Sequence, residues 1–180
     1  MKILAIDPSG NFNEGKGTTG WCLLDENCKL IGVGQLMASE CSSKEEHWME
    51  HLDLIKHLAP DYIVIEDYLL YANKSQSQIN SRFETSRLIG AIELYCWINN
   101  IPLKFQKASD VKQRFTDERL VQGNYITKSS SSSRYFAAGV LATGHIRDAI
   151  RHGVYFVKFK LKKEMNNNAS KVSIWCFTKQ

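Results

Sequence analysis

Two short apolar runs, each closed by an acid, constrain this chain more than any other feature. Ile3-Leu4-Ala5-Ile6 ends in Asp7, and Ile63-Val64-Ile65 ends in Glu66. Such a run reads as a fully buried strand, and the acid that follows it sits at the edge of a sheet, because burying an ionised carboxylate unpaired is very costly. A third acid, Asp148, lies in GHIRDAIRHGVYF, where an apolar helix face delivers it. Each acid alone has a plainer reading, since Asp7-Pro8-Ser9-Gly10 is a good turn sequence and an Asp after a strand often caps the next element. Taken together, carboxylates brought to one point repel one another unless a divalent cation neutralises them. Mg²⁺ prefers oxygen ligands and keeps part of its water shell for phosphate substrates. The pattern points to metal-dependent phosphodiester hydrolysis.

The 180 residues suffice for one well-buried α/β domain and not for two large ones. Hydrophobic content of 43% and charged content of 23% argue against wholesale disorder. A net charge of +4 is compatible with a polyanion partner without demanding one. Cys22, Cys28, Cys41, Cys96 and Cys176 form no CxxC pair and no zinc-finger spacing, so they read as reduced thiols. No apolar stretch approaches the ~20 residues that span a bilayer, and the chain starts directly into a strand. The expectation is a cytoplasmic protein of a bacterial or phage-infected cell, with no membrane anchor.

Periodicity predicts strands over 2–7, 20–25 and 30–36 as an antiparallel meander, then a helix over 43–58 with Ser42 or Ser43 as N-cap and Pro60 beyond its end. A strand over 62–66, a helix over 77–99, a strand over 101–105 and a helix from Ala108 with Ser109 as cap follow. The serines Ser129 to Ser133 read as a surface loop. A last helix is expected over 134–156, with His152 as a solvated histidine on it. Lys158, Lys160, Lys162 and Lys163 open a basic tail that ends in the strand-like Val172 to Phe177, giving a domain over 1–157 and an extension over 158–180.

This order of elements, with ILAIDPS and TGWCLLD at the start, VIEDY in the middle, Val111-Lys112-Gln113 after a strand opening with Ile101-Pro102, and His145-Ile146-Arg147-Asp148-Ala149 near the end, resembles the RuvC family of Holliday junction resolvases within the ribonuclease H-like superfamily. The resemblance spans roughly 1–156. It implies a mixed five-stranded sheet, three antiparallel strands then two parallel, flanked by helices. It also implies a site of Asp7, Glu66, His145 and Asp148 that holds two Mg²⁺ ions, with Mn²⁺ as the alternative. Asp7 would bridge both ions, Glu66 and Asp148 would hold one each, and His145 would ligate or shuttle a proton; Asp67 ranks behind Glu66 because neighbours in a strand face opposite ways. Lys112, Lys107, Lys104, Arg114 and Lys128 are the expected phosphate contacts, and Tyr68, with Tyr71, the expected stacking contacts. The long turn between Gly10 and Gly17, the serine tract and the basic tail depart from the family pattern and fit a divergent phage-type member.

The implied partner is branched DNA, above all a four-way junction, nicked in pairs by a homodimer, because a two-fold substrate suits a two-fold enzyme. Ile79, Phe83, Leu88, Ile92 and Tyr95 are the expected dimer face. Three other readings compete. One is ribonuclease H-type cleavage of RNA–DNA hybrids, which usually brings an additional acid near the second catalytic strand. Another is an actin-like ATPase, which needs around twice this length. The third is a non-catalytic junction-binding module, which has no physical reason to keep a repulsive carboxylate cluster.

Overall fold

The computed structural model describes residues 1–12, 15–67 and 83–164. Strand β1 (Lys2–Asp7) pairs antiparallel with β2 (Thr18–Asp25), which pairs antiparallel with β3 (Leu30–Met37). After helix α1 (Lys44–Leu58), β4 (Tyr62–Glu66) returns parallel to β1, and after α2 (Glu84–Ile98), β5 (Leu103–Gln106) lies parallel to β4. The sheet order is β3-β2-β1-β4-β5, the mixed sheet that the family resemblance implies.

Ile3, Leu4 and Ala5 of β1 and Ile63, Val64 and Ile65 of β4 are all 0% exposed because helices cover both faces of the sheet. Alternation divides these residues between two cores. Ile3, Ala5, Cys22, Leu24 and Val64 meet the last helix, α5 (Gly144–Phe159), whereas Leu4, Ile6, Leu23, Ile63 and Ile65 meet α1 and α2. Helix α1 starts where Ser43 accepts a hydrogen bond from the Glu46 amide and stops at Ala59, which is left-handed at φ 45°. Of the described cysteines, Cys22 and Cys96 are buried and all four are unpaired. Among the described residues no helix is long and apolar enough to cross a membrane.

Several local expectations are corrected. Residues 134–143 do not begin the last helix: β7 (Tyr135–Ala137) pairs with β6 (Thr127–Lys128) and β8 (Val140–Leu141) in a small second sheet, and Ser129 to Ser133 form its first turn. The left-handed Ala138 and Gly139 between β7 and β8 make a hairpin there that helical periodicity does not reveal. The helix expected from Ala108 is two, α3 (Ala108–Lys112) and α4 (Asp117–Gln122), the second capped by Thr116, and Ser109 is not a cap. Leu88 and Ile92 are 0% exposed in the core of the chain itself, so they offer nothing to a dimer face, and Ile79 lies outside the described residues. Leu94, Trp97 and Ile98 are the large apolar residues that α2 exposes. Helix α5 runs on to Phe159, and Leu161 is still part of the core. Val172 to Phe177 lie outside the described residues.

Candidate active site

Parallel pairing of β1 with β4 aligns Ile6 with Ile65, which brings Asp7 and Glu66 to the same end of the two central strands. They share a cleft of about 40 Å³ with Pro8, Asp67 and Thr85, so Asp67 lies beside Glu66 there. The first turn of α5 comes to the same end because the register partner of Asp7 is Gly20. A Cβ at Gly20 would collide with the backbone carbonyl of His145, and its absence lets the helix lie directly on β2. Thr143 caps that turn by accepting a hydrogen bond from the Ile146 amide.

His145 Nδ1 stands 2.8 Å from Asp7 Oδ2. Burial pushes the Asp7 carboxyl above the ordinary aspartate range; the bond from His145 pulls against that rise, while the charges on Glu66 and Asp148 add to it. The hydrogen bond to Asp7 raises His145 above the ordinary histidine value, with burial opposing. Asp148, one helical turn on, is held by Lys112 at 3.0 Å and by Arg151. Burial works against the Lys112 ammonium, but Asp148 and, behind it, Glu66 and Asp7 outweigh burial and raise its pKa. Arg151 and Arg147 also share Asp117, which fixes α4 against α5.

The solvated reading of His152 is wrong. It is 0% exposed, with Nε2 2.9 Å from Glu66 Oε2 and Nδ1 2.9 Å from Gln106 Oε1. A second buried network supports the loop after Asp7. His51 Nδ1 donates to the His47 carbonyl at 2.7 Å and Nε2 meets Thr19 Oγ1 at 2.8 Å; Thr19 Oγ1 accepts from the Ser9 amide, and His47 Nε2 meets the Ser9 carbonyl at 3.2 Å. Sequence reasoning missed this network, along with Arg151, Asp117 and Gln106. The spacing Asp148, Arg151, His152 on one helix was the signal available.

Asp7, Glu66, His145 and Asp148 are thus neighbours that feel one another's charge. Among the described residues, no three potential ligands stand together in metal-holding geometry, and each acid is held by a protein donor or cation. Three carboxylates and an imidazole nevertheless form a hard donor set, and a divalent cation would favour the charged form of Asp7, which burial first and the charges on Glu66 and Asp148 after it disfavour. The residues fit such an ion. Of the basic candidates, Lys112 is at the site, Lys104 is paired with Glu164 at 2.7 Å, and Arg114 lies over the Phe159 ring. Lys107 and Lys128 are exposed, and Tyr68 and Tyr71 lie outside the described residues.

Among solved structures, the chain is similar to Thermus thermophilus RuvC in complex with a Holliday junction substrate, at 15% identity and a TM-score of 0.59, over 86% of this chain and 90% of that one. The chain has the RuvC fold. A second T. thermophilus RuvC structure agrees, at 13% identity and a TM-score of 0.58 over 88% and 96% of the two chains. No protein-family model matches the chain, and no curated protein matches it. The ribonuclease H-like architecture expected from the RuvC resemblance is therefore the architecture observed, with Asp7 and Glu66 at the ends of its central strands.

Proposed function

We propose that the chain is a divalent-metal-dependent endonuclease that resolves four-way and other branched DNA junctions by paired nicking. The observation that carries this reading is the meeting of Asp7, Glu66, His145 and Asp148 at one end of β1, β4 and α5. The RuvC fold supports it, because a RuvC with that fold has been solved in complex with a Holliday junction substrate. Asp7, Glu66, Asp148 and His145 would hold the metal, and bound ions supply an activated water and charge neutralisation at the leaving oxygen of an in-line displacement. Lys112 exchanges Asp148 for a backbone phosphate, placing a positive charge beside the scissile bond. His145, held by Asp7 through Nδ1, stands where a proton can be passed or a ligand supplied. A second copy completes the paired cut, and Leu94, Trp97 and Ile98 are the exposed apolar surface of α2 available to it.

Incubation with a labelled four-way junction, a flap, a linear duplex and an RNA–DNA hybrid, each with Mg²⁺ and with chelator, tests the proposal. Mg²⁺-dependent, symmetric cleavage of the four-way junction over the duplex is expected. Preferential loss of the hybrid's RNA strand would replace it with ribonuclease H-type hydrolysis.

A further inference from the structure

His152 has no part in the chemistry above, yet it is fully buried with both ring nitrogens bonded, one to Glu66 and one to Gln106. Sheet register builds the arrangement: Gln106 is the partner of Glu66 across β4 and β5, and its backbone carbonyl accepts from the Asp67 amide at 2.8 Å. One face of α5 serves both acids, since His145 reaches Asp7 while His152, seven residues on, reaches Glu66. The position of the ring proton can be argued from the partners. A carboxylate only accepts, so His152 Nε2 carries a hydrogen and donates it to Glu66. The Gln106 amide nitrogen is buried with no partner. Turning that amide over, which leaves its shape unchanged, offers its N–H to His152 Nδ1; in either orientation Nε2–H points at Glu66. A buried imidazole costs free energy unless it is hydrogen-bonded, and an aliphatic side chain would fill a fully buried position more cheaply.

We propose that His152, oriented by Gln106, is a positioning residue that sets the Glu66 carboxylate for the cation. It fixes one carboxylate oxygen and leaves the other for the ion. Outer partners of this kind typically alter metal affinity by ~10–100-fold. The inference rests on the proposed reading of Glu66 as a ligand.

The test measures Mn²⁺ affinity of the full-length protein without DNA, by calorimetry, together with the Mn²⁺ dependence of junction cleavage. His152→Leu should weaken Mn²⁺ binding ~10-fold or more and raise the Mn²⁺ needed for half-maximal cleavage in step, with little change in rate at saturating Mn²⁺. His152→Gln, which restores a donor at the same reach, should recover most of the affinity, a result that simple packing damage would not produce. In a Glu66→Gln background, His152→Leu should add nothing. Unchanged Mn²⁺ affinity in His152→Leu, with weakened affinity in Glu66→Gln, overturns the positioning role alone. Unchanged affinity in Glu66→Gln overturns the ligand reading instead. If His152→Leu does not fold, Gln106→Leu takes its place, with weakened Mn²⁺ binding expected and unchanged binding overturning the proposal.

Discussion

Asp7 is a buried carboxylate whose environment works against its charge, and the proposed function gives that charge a cation as its partner. Asp7→Asn, Glu66→Gln and Asp148→Asn should each abolish Mg²⁺-dependent junction cleavage while leaving junction affinity in chelator close to that of the parent, because phosphate contacts elsewhere carry affinity. Gel shift and cleavage assays on the same preparations check this, and near-normal cutting by any one variant removes that residue from the site. His51 makes a different prediction. Burial holds it down to about 4, so it stays neutral and bonded to His47 and Thr19. The unfolded chain binds the proton from the ordinary value near 6.5 downward, and the folded chain does not until about 4. The contribution of His51 is therefore full above pH 6.5 and declines as pH falls towards 4, a drop of about 2 kcal/mol by pH 5 from the ~1.4 kcal/mol per unit relation. Denaturant melts at pH 7 and pH 5 should show this drop, and His51→Gln should flatten it.

Helix α5 carries His145, Asp148 and His152, so its placement decides the geometry of the site. Two features set its first turn, the Thr143 cap and the close approach over Gly20. Thr143→Ala should cost about 1 kcal/mol, the usual worth of an N-cap. Gly20→Ala should cost about 1–3 kcal/mol, because the new methyl meets backbone and not a flexible side chain. It should also cut the cleavage rate at temperatures where the protein is fully folded, since the displaced turn takes His145 from Asp7. Thermal melts alongside single-turnover cleavage separate the two effects; a melt that falls while the folded protein cuts at the parent rate would mean that Gly20 serves stability alone.

For the molecule as a whole, the proposed function assigns DNA affinity to surface charge and assembly to exposed apolar surface. Lys112→Ala should weaken cutting and junction binding together, because that ammonium stands beside the acids. Lys162 and Lys163 are exposed beyond α5, so alanine there should lower general DNA affinity and reduce the slope of log affinity against log salt by ~0.9 for each phosphate no longer neutralised. Leu161 between them and the helix is a core residue, so truncation from Lys158 would test folding rather than DNA binding. Light scattering at micromolar concentration should report a dimer, and Trp97→Glu, at a residue 78% exposed, should shift it to monomer without lowering the melting temperature.

The strands and their acids were legible in the chain because ILAI and IVI are apolar without interruption and the carboxylates that end them have few places to go. The resemblance to the RuvC family carried the rest of the architecture, down to the parallel return of β4 beside β1. Local periodicity failed between Thr127 and Thr143, where left-handed turn residues and cross-strand pairing override helical spacing. It failed again at His152, whose partners Glu66 and Gln106 lie 86 and 46 residues away along the chain, and at His51, whose partner Thr19 lies 32 away. A polar residue on an apolar helix looks solvated until a sheet end closes over it. Only the packing of α5 across β1, β2 and β4 decided which histidine meets which acid.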